Sequence, residues 1–378
     1  MKTQLYNWHV KNGDMINFSG FQMPVVYSSI KKEHLAVRNN AGCFDVSHMG
    51  RLWIEGDDSE KFLNLLVPRD LSKTQDGRAS YTFMLNEHGG FRDDLVFARI
   101  NRKKWLLVWN AGNLVKIKLW METFKNTLTQ FIDLDVSLVD ISSTSAMFAL
   151  QGPRYQDVLK SAFKEKVETP LPWRVLNVKY GDIKLLISGT GYTGEKGCEI
   201  IVLNTTLEKP IKAEEIWRLL LEAGSQPCGL GARDSLRLEA GLVLYGNDID
   251  ETLNPIEADL FFPPFVHMDK AFFIGKSKLE SFSNQTPFRT RIGFLAQEKG
   301  PSPRSGMTLF KDGQEIGFVT SGGFSPLINL GVGMGYVPNT MKEEGTSLQY
   351  EVRGKVHKAK IVNFPLYNTD KYGKNRKN

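Results

Sequence analysis

The chain has 378 residues, 41% hydrophobic and 24% charged, which predicts two or three globular domains and excludes a mainly disordered chain. Its net charge is +6, but Lys371, Lys374, Arg376 and Lys377 supply four of those charges within the last eight residues. A basic face for nucleic acid is therefore not implied. The most apolar run, residues 260–266, holds two prolines and falls far short of the ~20 residues of a membrane span. The N-terminus lacks the apolar core and cleavage site of a signal peptide. Cys43, Cys198 and Cys228 are isolated, which fits a reducing, cytoplasmic compartment without a disulfide framework. The six histidines form no HxxxH or HxH pair, so no metal is expected.

In chain order, residues 58–67 predict an amphipathic helix with Phe62, Leu63, Leu65 and Leu66 on its apolar side. Residues 91–100 and 104–110 read as strands joined by the polar turn Asn101-Arg102-Lys103. Leu114, Ile117, Met121 and Phe124 then recur at helical spacing. Residues 132–141 alternate apolar and polar, residues 146–150 form a short apolar run, and both read as strands. Pro153 suits the first turn of a helix. Residues 175–188 predict a hairpin turning at Tyr180-Gly181-Asp182, and residues 213–223 an amphipathic helix. After about residue 285, short strands follow one another across turns such as Asp312-Gly313 and Arg353-Gly354. That pattern predicts a separate small β-barrel. The expected class is α+β, with mixed sheets ahead of the β module.

Four segments carry candidate chemistry. Gly189-Thr190-Gly191-Tyr192-Thr193-Gly194 is a literal GxGxxG, but a dinucleotide loop must open a helix. Here an apolar strand, Cys198 to Val202, follows, so the glycines read as a turn between strands. Glu199 lies inside that strand, where a carboxylate must find donors or solvent; it could accept in parallel from a ligand edge with two adjacent N–H groups. Asp93 and Asp94 are neighbours on a strand, so their side chains start on opposite faces and at most one meets a given pocket. Arg233 sits on a helix reading to Gly241 and could face an anionic or carbonyl-bearing ligand.

Several blocks in register carry a family resemblance. They are residues 41–49 (AGCFDVSHM), 84–95 (MLNEHGGFRDDL), 191–195 (GYTGE), 232–241, 244–249 (LYGNDI), 319–322 and 335–338. Together they resemble the aminomethyltransferase, or T-protein, of the glycine cleavage system over nearly the whole chain. The resemblance implies a three-domain cloverleaf of α/β subdomains around a central folate hole. Residues 1–285 would form the folate-binding region, as two interleaved α+β subdomains, and residues 286–378 the C-terminal β-barrel with its basic tail. It implies an enzyme that releases ammonia from the aminomethyl-lipoyl arm of H-protein, typically an acidic partner, and passes the methylene to tetrahydrofolate. Tetrahydrofolate is the co-substrate, giving 5,10-methylenetetrahydrofolate, and no metal is called for. By the same resemblance Asp93 is the catalytic residue, the acidic side chain beside the folate's reacting nitrogens. Glu199 binds the pterin, with Arg233 as companion, and Tyr192, Asn110, Tyr81 and Met49 line the pocket. Tyr372 corresponds to a C-terminal tyrosine near the active hole.

Phe262, where many members carry Trp, and Gly189, where many carry Arg, depart from the pattern. A related folate-dependent methyltransferase or demethylase is the alternative enzyme. A non-enzymatic folate-binding assembly factor would need a Cys beside a Gly-Gln-Glu run, which the order Lys196-Gly197-Cys198 does not provide.

Overall fold

A computed structural model describes residues 1–377; Asn378, the last residue of the basic tail, lies outside them. The chain divides by packing into two compact units, one of residues 1–84, 93–191 and 195–233, the other of residues 85–92, 192–194 and 234 onward.

The first unit holds a two-stranded hairpin, Asp14–Phe18 with Phe21–Val26, and two larger sheets. A five-stranded sheet has the order Arg78–Leu85, Phe91–Asn101, Lys104–Trp109, Gly50–Glu55, Ser137–Asp140. A six-stranded sheet has the order Val175–Tyr180, Ile183–Ser188, Gly197–Leu203, Ser145–Gln151, Gly42–Asp45, Gln226–Pro227, with only the last pairing parallel. The short apolar run is the central strand of this sheet, Ser145–Gln151, buried along its whole length, as expected of a strand covered on both faces. Strand alternation sends Cys198, Ile200 and Val202 into a core shared with Val158 and Leu159 of helix Tyr155–Ala162 and Ile216 and Trp217 of helix Ile211–Glu222. Glu199 and Ile201 are thereby left to the opposite face. On the five-stranded sheet, helices Ser59–Leu66 and Leu114–Leu128 meet through Phe62 and Phe124, ring centroids 6.0 Å apart.

Most expected elements form within a residue or two of their expected ends, including the hairpin at Gly181. Residues 132–141 do not: only Ser137–Asp140 is strand. Asp135 instead ties its backbone and carboxylate to the loop before helix Ser59–Leu66, through the Asp57 amide at 2.8 Å and the Asp58 amide at 3.2 Å. Those bonds take the place of a sheet ladder. Pro153 stands two residues ahead of its helix, in the Gly152-Pro153-Arg154 turn.

In the second unit six strands close a barrel, in the order Arg289–Ala296, Leu330–Pro338, Gln314–Ser325, Thr308–Lys311, Ser347–Val352, Lys355–Val362 and back to the first. Phe294, Leu309, Val319 and Ile361 fill it. Arg237, on helix Leu230–Ala240, is buried against Asp248 at 2.6 Å and donates to the Ser321 hydroxyl at 2.8 Å. Asp248 also accepts from Thr320 and from the Leu244 amide, so this buried charge pair is fully hydrogen-bonded rather than merely paired. The C-terminal residues are not a free arm: the Lys374 amide donates to the Gly194 carbonyl at 2.8 Å, and Lys377 meets Asp370 at 3.0 Å.

Candidate active site

The two larger sheets of the first unit line one cleft. Val96, Ala98 and Val108 come from the five-stranded sheet and Ser188, Glu199 and Ile201 from the six-stranded sheet, with Thr190 from the turn between.

Strand alternation decides which aspartate shares this cleft. Val96 and Ala98 line it, so Asp94 lies on the same face of Phe91–Asn101. Asp93, Leu95 and Phe97 point the other way and are buried, Asp93 with 0% exposure. Asp94 is half-buried and accepts from the Tyr81 hydroxyl at 3.1 Å. The Asn110 side-chain amide donates to both carboxylates, 2.7 Å to Asp94 and 2.8 Å to Asp93. Asp93 also accepts from the Asp94 amide at 3.0 Å. Burial, then the charge of Asp94, pushes the Asp93 carboxyl up to about 8, although bonds from Asn110 and Asn113 favour its ionised form. Asp93 is therefore biased toward its protonated form. The backbone faces are opposite, as expected, yet both side chains converge on one amide. The structure thus puts Asp94 on the cleft face, while Asp93, expected on the ligand side, has no exposure.

Glu199 is half-buried in the cleft. Burial raises its carboxyl above the usual range, opposed by a hydrogen bond from the Thr190 hydroxyl and by the charge of Arg233. Arg233 is half-buried on its helix. The buried His48 imidazole is held down to about 3, by burial and then by the charge of Arg233. His48 and Met49 follow Asp45, whose carboxylate accepts from the Ser47 amide at 2.9 Å, the Thr3 hydroxyl at 2.8 Å and the His9 ring at 2.8 Å. Met49 is half-buried, and its carbonyl takes a 2.6 Å bond from Arg51. Tyr192 and Tyr372 belong to the other unit. There the Tyr192 hydroxyl donates to the Val243 carbonyl and the Tyr372 amide to the Asn368 carbonyl.

The glycine-rich segment is a strand–turn–strand and opens no helix. A Cβ at Gly191 would stand 2.0 Å from Gln151 Oε1, and one at Gly197 would stand 2.4 Å from Gln151 Nε2. The glycines make room for a buried side chain rather than a phosphate. Gly189 is required for another close approach, since its Cβ would meet the Leu171 carbonyl at 2.2 Å. That accounts locally for the departure there. Gln151, Thr190 and Ser188 gave no signal of their own in the sequence. The one available clue was cross-strand register, which puts Ser188 directly opposite Glu199.

Residues 5–270 match the family described as the GCVT N-terminal domain, and residues 289–368 match the glycine cleavage T-protein C-terminal barrel domain. The chain belongs to the glycine cleavage T-protein family. Relatives of this T-protein chain include an aminomethyltransferase from Thermosipho melanesiensis, 43% identical over 97% of this chain and 96% of the relative. A probable aminomethyltransferase from Pyrococcus horikoshii is 37% identical, covering 98% of each chain. The crystal structure of glycine cleavage system aminomethyltransferase T from Bartonella henselae superposes with a TM-score of 0.87 at 35% identity, over 99% of both chains. Within this T-protein the other departure, Phe262, is 47% exposed and packs its ring 4.9 Å from Phe265.

Proposed function

We propose that this T-protein chain, a tetrahydrofolate-dependent aminomethyltransferase, carries out its reaction at the inter-sheet cleft of the first unit. It releases ammonia from the aminomethyl-lipoyl arm of H-protein and transfers the methylene to tetrahydrofolate. The observation that carries the placement is Glu199, a half-buried carboxylate beside Ser188 and Thr190 in a cleft whose apolar walls include Val96, Val108 and Ile201. The pterin fits those residues. Its flat ring suits the apolar walls, and its adjacent N3–H and 2-amino donors suit a carboxylate that accepts in parallel. Tetrahydrofolate, when bound, supplies the amines that take up the one-carbon unit.

Glu199 would hold the pterin edge, with Arg233 and Met49 as further folate contacts. Asp94, steadied by Tyr81 and Asn110, would place its negative charge where positive charge develops at the reacting carbon. Asp93 would lie beneath it and adjust the charge of the pair. For Tyr192 and Tyr372 the family resemblance is the support. Residues 1–285 remain our folate-binding region and residues 286–378 our barrel module. Lipoylated H-protein is the proposed partner and the cytoplasm the proposed compartment. No described helix is long and apolar enough to cross a membrane, and the three cysteines are free and buried.

The decisive assay supplies aminomethylated H-protein and tetrahydrofolate and measures ammonia and 5,10-methylenetetrahydrofolate. Both should rise together, and only when both substrates are present. Folate-dependent turnover of a small methylated amine with no response to H-protein would overturn the assignment in favour of a related demethylase.

A further inference from the structure

We propose that Ser188, Thr190 and Gln151 form a preset relay that orients Glu199 and keeps it a pure acceptor, which makes Thr190 a positioning residue selecting ligands with a donor edge. The inference rests on the pterin reading of Glu199 given above.

The relay has a direction. Thr190 donates its single hydroxyl proton to Glu199 Oε2. The 2.7 Å bond between the Ser188 and Thr190 hydroxyls must then have Ser188 as donor, because Thr190 has no second proton to give. Thr190 is itself fixed. It is buried, with 7% exposure, and its carbonyl accepts from Gln151 Nε2 at 3.1 Å. Gln151 is wholly buried in the space left by Gly191 and Gly197 and also reaches the Cys198 carbonyl at 3.3 Å. One side chain therefore ties the turn carrying Thr190 to the strand carrying Glu199. A carboxylate offers about four acceptor positions. The relay occupies one and fixes the plane of the group, so the remaining positions meet donors in the cleft without reorganisation. A ligand edge that presented an acceptor there would face like against like.

Titration separates this role from simple packing. The charged group facing Glu199 from another element is Arg233, and the thiol of Cys198 adjoins it on its own strand. Arg233 and the Thr190 hydroxyl both favour the ionised carboxylate against burial. Removing the hydroxyl leaves burial less opposed, so Glu199 takes up a proton at higher pH. Protonated Glu199 sets a donor against the donor edge of the pterin, so binding must fail earlier as pH falls.

The test is anaerobic titration of tetrahydrofolate into full-length wild-type, Thr190→Val, Thr190→Ser, Ser188→Ala and Glu199→Gln proteins between pH 5.5 and 8.5, with melting curves alongside. Thr190→Val should bind roughly ten- to a hundred-fold more weakly at neutral pH, the scale of one lost hydrogen bond to a charged group. Its acidic limb should move to higher pH, and Thr190→Ser should restore both. Ser188→Ala should show a smaller shift of the same sign, which keeps the test open if Thr190→Val fails to fold. An unmoved limb in the folded variants, with binding lost in Glu199→Gln, overturns the relay and leaves the pterin site standing. Wild-type affinity in Glu199→Gln overturns the pterin reading and the relay with it.

Discussion

Asp93 and Asp94 show how one peptide step puts two carboxyls in different surroundings. Asp94 shares the cleft face with Val96, while Asp93 has no exposure at all. Asp94→Asn should lower turnover by about 10²–10³, the usual loss of one well-placed electrostatic group, with tetrahydrofolate affinity changed only a few-fold. Asp93→Asn should keep turnover within about ten-fold, since the amide preserves the shape beneath Asp94. Steady-state kinetics on the two variants would reveal the reverse order if the strand faces are misassigned.

Asp93 also writes a pH dependence into stability. Its folded value of about 8 lies above the ordinary 3.8, so the native chain holds a proton that the unfolded chain releases. That contribution is complete below about pH 3.8 and is lost as pH rises through about 8. Asp93→Asn removes the slope. Relative to wild type, its melting temperature should rise between pH 5 and pH 8, by about 2 °C or more, and parallel melting profiles would contradict the buried-acid reading. The need of Glu199 for hydrogen-bond partners was legible in the sequence, because a carboxylate within an apolar strand demands them. The position of Asp94 on the cleft face was not, because that face is set by the sheet opposite it.

At the level of elements, the glycine-rich turn had a literal nucleotide signature and a different physical cause. Its strand–turn–strand form could be read from the apolar run after it. The occupant of the space could not, because Gln151 arrives from a strand some forty residues earlier. Gly191→Ala should destabilise the chain by about 1–3 kcal/mol through overpacking against Gln151. In a Gln151→Ala background the same change should cost much less, giving a clearly non-additive cycle in urea denaturation. Additive effects would mean that Gln151 is not what fills the space. The failed strand at residues 132–136 follows the same logic: alternation was present, but Asp135 bonded a loop far away in sequence.

For the whole molecule, the barrel was legible from successive short strands and turns such as Asp312-Gly313 and Arg353-Gly354, whereas the division into units was not. Residues 85–92 and 192–194 pack with the chain after 233, and such pairings leave no local trace in sequence. The basic tail has two roles to separate, charge and support. Removing residues 371–378 deletes four of the six net charges and also the bond from Lys374 to Gly194. Association with an acidic H-protein should then slow at low salt and depend less on ionic strength, and the melting temperature should fall slightly. Replacing the four basic residues with Gln in the full chain should reproduce only the salt effect. An unchanged salt slope in both proteins would locate the steering charge elsewhere.

The six-stranded sheet also sets a timetable. Strand Gly42–Asp45 is flanked by Ser145–Gln151 and Gln226–Pro227, so its neighbours are synthesised long after it. At about 5–20 residues per second, a nascent chain waits roughly 5–20 s for the first of them and longer for the second. Until those neighbours arrive, the sheet that buries Cys43 is incomplete. In the finished sheet Cys43 has 0% exposure, and burial drives its thiol far from ionising. A thiol reagent pulsed during synthesis or refolding would therefore mark the moment at which the sheet closes.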